Sequence, residues 1–143
     1  MSRLLSAWLC ALALVAPSAG AAEQNQAPHN RYSAQLLTAI NAYRAKHGVA
    51  VLDASPNLDT LAYEHSKDMA QAGRLGHEGY RERGTRSGSP VCVENVGWNY
   101  ASPEAQLRAW VESPGHNKNL LDAKITKAGI GESRSYVTFL ACR

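Results

Sequence analysis

Apolar positions recur at three- and four-residue steps soon after Asn30. Leu36, Leu37, Ile40 and Tyr43 would share one stripe of a helix running from Arg31 to Lys46, with Gly48 as its stop signal. A second stripe, Leu58, Leu61, Ala62, His65 and Met69, follows Ser55 as N-cap and Pro56 at the first helical position, and Gly73 ends it. From Arg74 to Pro90 the periodicity disappears among glycines and charges, which predicts a long loop. VCVENVGWNY reads as a strand that places Cys92, Glu94, Val96 and Trp98 on one face. ASPEAQLRAWV predicts a third helix capped by Ser102, and SPGHNKNLL a short fourth one capped by Ser113. Thr126–Gly131 and Tyr136–Cys142 read as a strand pair around the turn ESRS. Helices followed by a small antiparallel sheet define an α+β class with helices packed on the sheet.

The first residues fall outside that pattern. Arg3 precedes an apolar run from Leu4 to Val15, which is short for a membrane span, and small residues follow at Ala19 and Ala21. Residues 1–22 therefore read as a signal peptide rather than an anchor, residues 23–29 as a flexible leader and residues 30–143 as one domain. Loss of Arg3 would leave 14 basic against 12 acidic side chains. So mild a balance, with no basic stripe, argues against a nucleic-acid partner. With Cys10 discarded, Cys92 and Cys142 form an even pair in an exported chain, the usual setting of a disulfide. A reactive thiol at Cys92 is the competing reading.

His77, Glu94 and His116 are the candidate functional side chains, each flanked by glycine or turn residues. Two neutral imidazoles and a carboxylate could hold a divalent cation such as zinc with one position open. Their spacing fits no short zinc motif, and the alternative is a polar cluster tying loop, strand and helix together. On that alternative Glu94→Gln would cost on the order of 1–3 kcal/mol. His65, on an apolar stripe, reads as a hydrogen-bonded core residue rather than a ligand. The chain contains no G-x-S-x-G element and no phosphate-binding glycine loop, which disfavours a serine hydrolase or a nucleotide enzyme.

Six elements in order carry a resemblance. They are N-x-x-R-x-x-x-G at Asn41, Arg44 and Gly48; L-x-x-L-A-x-x-H-S-x-D-M-A from Leu58 to Ala70; His77; ENVGW from Glu94 to Trp98; W-x-x-S-P-G-H-x-x-N-L-L from Trp110 to Leu121; and A-G-I-G from Ala128 to Gly131. Together they resemble the CAP superfamily of cysteine-rich secretory, antigen 5 and pathogenesis-related proteins, and most closely its bacterial SCP-like extracellular branch. The resemblance implies an α-β-α sandwich, a small antiparallel sheet between helices. It also implies a cleft lined by two histidines and two glutamates. His77, Glu94 and His116 match three of these positions. The fourth falls on Ser113, with Glu112 one place early, so the acid set is incomplete.

The expected function is therefore that of a secreted or periplasmic binding module, monomeric and not an integral membrane protein after signal cleavage. Its cleft would take a small apolar ligand, a lipid, a peptide or an envelope component, with Ser113 and Asn95 beside the ligand and a weakly bound divalent cation at His77, Glu94 and His116. No residue is assigned a catalytic role. The alternative is a metal-assisted hydrolase or protease working in the same cleft.

Overall fold

The computed structural model describes residues 31–143; the expected signal peptide and leader lie outside them. The first stripe forms α1 (Arg31–Lys46). It is followed by β1 (Asp53–Ala54), α2 (Pro56–Ala72), α3 (Tyr80–Ser87), β2 (Cys92–Trp98), α4 (Pro103–Glu112), α5 (Pro114–Leu120), β3 (Lys127–Ser133) and β4 (Tyr136–Cys142). The caps of α2 form as the sequence predicts. The Ser55 hydroxyl accepts from Leu58 N, and Gly73 closes the helix in the left-handed region.

The strands form one sheet in the order β1-β3-β4-β2. Two of its ladders, β2–β4 and β3–β4, are antiparallel, as expected, and the short β1 makes it mixed by pairing parallel with β3. Two residues of strand are too short to show any alternation. The β3–β4 turn is also tighter than ESRS, since Arg134 and Ser135 alone bridge the strands, both at positive φ.

Strand β4 is central and buried on both faces. On one face Val137, Phe139 and Ala141 meet Leu36, Leu37 and Ile40 of α1, Trp110 of α4 and Leu120 of α5. On the other, Leu140 and Cys142 meet Leu58, Leu61 and Ala62 of α2. Helix α2 lies directly on β3. A Cβ at Gly129 would sit 2.1 Å from the Asp59 nitrogen, and one at Gly131 2.1 Å from that of Tyr63, so only glycine fits either place. The helices thus form two layers around the sheet, the sandwich that was anticipated.

Two polar side chains of α1 tie down neighbouring segments, Arg44 the end of α5 and Asn41 the chain before β1. Arg44 is fully buried and donates to the carbonyls of Ala50, Leu120 and Asp122. Asn41 brackets Leu52 with a pair of bonds at 3.0 and 2.8 Å. Cys92 and Cys142 are disulfide-bonded. They face each other across β2 and β4. The Arg143 N–H bonds the Val91 carbonyl, which makes the cysteines a narrow, non-hydrogen-bonded pair with Cα atoms 4.1 Å apart.

The segment Arg74–Pro90 is not the loop its composition predicts, because α3 forms inside it, between left-handed glycines at 79 and 88. The one buried residue of this helix is Arg83. An inner face made of Arg83 and the half-buried Tyr80 leaves no apolar periodicity to read.

Candidate functional site

Strand β2 is an edge strand, so its outer side is open to groups from both helical layers. Its alternation sends Glu94 toward α2 and α3 and Asn95 toward α5. The Glu94 side chain is 2% exposed. A carboxylate that deep must find donors. Arg83 supplies two: Nε to Oε2 at 2.7 Å and Nη2 to Oε1 at 2.8 Å, a bidentate fork. The Arg83 side chain is itself 8% exposed, and its Nη1 donates to the Glu78 carbonyl at 2.6 Å.

His77 comes from the turn between α2 and α3. Its Nδ1 lies 2.8 Å from Glu94 Oε1. A carboxylate paired with arginine only accepts hydrogen bonds, so Nδ1 carries the proton and Nε2 is left for the cleft. This ring is 52% exposed. His65 lies 3.8 Å from the same oxygen. It is buried, and its Nε2 donates to the Gly76 carbonyl at 2.8 Å, which makes it the hydrogen-bonded core histidine the sequence predicts.

The α5 side is built from two asparagines. Asn119 Nδ2 donates to the Glu94 carbonyl at 3.1 Å and to Asn95 Oδ1 at 2.9 Å. Asn95 Nδ2 donates to the His116 carbonyl at 3.1 Å. Asn95, expected beside a ligand, has a fully buried side chain that joins β2 to α5. Ser113 stands at the expected N-cap position, but its hydroxyl makes no capping bond. It is at once the last cap of α4 and the first of α5, with φ −95° and ψ 115°.

Burial holds the imidazole of His116 below its ordinary value, and the nearby His77 adds to the effect. Burial is also the largest cause for His65, whose value is lowered too; Arg83 and His77 push the same way, while the Gly76 carbonyl and Glu94 oppose them. Both groups therefore take up protons more readily in the unfolded chain. Their contribution to stability is intact above the unfolded value, about 6.5, and is lost as pH falls through the lower folded values. The thermal midpoint should therefore drop between pH 7 and pH 5. His65→Gln, which keeps a donor for Gly76, should shallow the drop. A midpoint unchanged over that interval would contradict the assignment.

A pocket of about 300 Å³ opens beside these groups, lined by His77, Tyr80, Cys92, Val93, Glu94 and Asn119. Tyr80 belongs to α3 and donates its hydroxyl proton to the Cys92 carbonyl. Of the three expected cleft residues, His77 and Glu94 meet directly, and His116 is near enough to His77 to interact with it electrostatically. As a metal site the arrangement does not fit: both Glu94 oxygens are engaged, and no three histidine, cysteine or acidic side chains converge on a point among the described residues. Arg83, Tyr80 and Asn119 escaped the sequence reading. The available signal was Tyr80 and Arg83 three apart between Gly79 and Gly88, one helical face between two stops.

The chain is a three-layer sandwich with a histidine–glutamate cluster along a free sheet edge. The family model described as the cysteine-rich secretory protein family, CAP, matches residues 37–142, and the chain belongs to that family. It is 28% identical over 132 residues to the uncharacterized membrane protein YlbC of Bacillus subtilis, covering 87% of this chain and 38% of that protein. It is 28% identical over 112 residues to the uncharacterized protein YkwD of the same organism, covering 70% and 42%. The chain thus spans about two fifths of the length of these curated relatives. Among solved structures, an extracellular protein containing an SCP domain from Bacillus anthracis superposes with a TM-score of 0.74 at 26% identity, over 78% of this chain and 40% of that one. An outer surface protein of Borrelia burgdorferi shares the fold, with a TM-score of 0.66 at 18% identity, over 76% of this chain and 87% of that one. No helix among the described residues is long and apolar enough to cross a membrane.

Proposed function

We propose that this is an exported binding module that holds a peptide or another polar component of the cell envelope in the cleft along β2, without catalysing a reaction. One observation carries the reading: Glu94, the cleft's only buried carboxylate among the described residues, is engaged at both oxygens by Arg83 and His77. A general base or a nucleophile needs a free lone pair aimed at its substrate. With Glu94 so engaged, the metal-assisted hydrolase loses the carboxylate it would rest on. The mixed polar and apolar lining of the pocket suits a peptide better than a wholly apolar ligand or a lipid.

Export is supported by the apolar run after Arg3, by the disulfide and by the likeness to an extracellular protein. Equilibrium dialysis of the purified protein against peptide pools and solubilised envelope polymer tests the reading. Wild type should bind one of these saturably. His77→Ala with Asn119→Ala should weaken that binding by about tenfold or more, the loss expected when two polar contacts are removed. Absence of binding by wild type, or equal binding by the double variant, would overturn it.

A further inference from the structure

We propose that Arg83 is a resident cation of the cleft: its guanidinium fills the place on Glu94 that a divalent ion would take, and this sets the cleft's ligand class to groups other than metal ions. The proposal sharpens the reading above and shares its cleft, but it stands on the ion pair itself.

The argument begins with lone pairs. A carboxylate offers about four acceptor directions. On Glu94 the guanidinium nitrogens take one on each oxygen, and His77 takes a second on Oε1. The guanidinium cannot drift away, because Nη1 is tied to the Glu78 carbonyl and the helix that carries it is stopped by glycine at both ends. A metal ion binding Glu94 would have to displace this fork. It would also come within a few ångströms of a fixed positive charge in a poorly solvated place, where repulsion is screened least.

The charge count points the same way. Glu94 and Arg83 cancel, and the nearby groups are neutral: the carboxamides of Asn95 and Asn119, the Tyr80 hydroxyl, and the imidazole of His116, whose burial disfavours its charged form. The neighbouring acids Glu64 and Glu78 are exposed and paired with Arg86 and Arg74. A cleft floor with no net charge offers a dication little, and it leaves His77 Nε2 and the polar rim to meet a ligand by hydrogen bonds.

Removing the resident cation should therefore create a metal site. Zinc alone is the probe, titrated into the full chain against a chromophoric chelator. Wild type and Arg83→Lys, which keeps a positive charge, should show no saturable zinc binding. Arg83→Ala should bind one zinc at least about tenfold more tightly than wild type, the lower end of what supporting groups contribute to metal affinity. Adding Glu94→Gln to that variant should abolish the gain. Circular dichroism with and without zinc follows the folding of each variant, and zinc-dependent folding of Arg83→Ala would count as the gain. A second readout needs no variant: the imidazole resonances of His77 in wild type should be unmoved by zinc. Stoichiometric zinc binding by wild type that shifts His77 would overturn the proposal. So would an Arg83→Ala protein that is folded and indifferent to zinc. Neither result depends on whether a peptide binds, so failure here is distinguishable from failure of the proposed function.

Discussion

Glu94→Gln is expected to lower the unfolding free energy by about 3–5 kcal/mol, the range for removing one partner of a buried ion pair. The sequence by itself suggested a smaller loss, that of one hydrogen-bonded partner. The difference is Arg83. Glutamine keeps the shape of the side chain and can still accept one bond, but it leaves a guanidinium that is 8% exposed without a counter-charge. The pair also ties α3 to the sheet, since Arg83 is the buried residue of that helix. Loss of Glu94 should therefore free α3 before it frees anything else. Urea denaturation gives the magnitude, and amide exchange over residues 80–87 gives the place. A loss below about 1 kcal/mol would show that the pair is not the buried fork described here. Replacing both partners by apolar residues of similar volume should recover much of the loss, because no uncompensated charge remains.

The second large effect concerns the disulfide. Cys92→Ser with Cys142→Ser should cost about 4 kcal/mol, from the entropy the unfolded chain regains when a link across a separation of 50 residues is removed. Alkylation of the untreated protein without reductant should label neither cysteine. Cys92 lies two residues from Glu94 on β2, and its carbonyl receives the Tyr80 hydroxyl proton. The two sites share α3 and β2, so the losses from Glu94→Gln and from the serine pair should not add. A combined loss equal to the sum would mean that the cross-link and the ion pair act independently.

Much of the architecture could be read from spacing. The stripes of α1 and α2 put one residue in the core every three or four positions, and all of these residues but the half-buried Tyr43 are buried. The caps at Ser55 and Ser102 form for local reasons, a short side-chain oxygen meeting free N–H groups two or three residues on. Where the deciding contact was distant, spacing carried no signal. Helix α3 has one fully buried residue, and that residue is charged. Strand β1 exists because β3 lies beside it. The hydroxyl of Ser113 makes no capping bond, although the residue sits at the N-cap position.

What the sequence determined was therefore the set of local choices: which segments are helical, which face of β2 carries Glu94, which cysteines are left to pair, and which histidines stand next to glycine. These follow from periods of two and 3.6 and from turn chemistry, which act over a few residues. The tertiary structure decided the state of the cleft. An arginine 11 residues away closes on both oxygens of Glu94, and asparagines from β2 and α5 anchor the chain that carries His116. No local rule predicts such pairings, because a buried charge takes whichever partner the packing of separate elements brings within 3 Å.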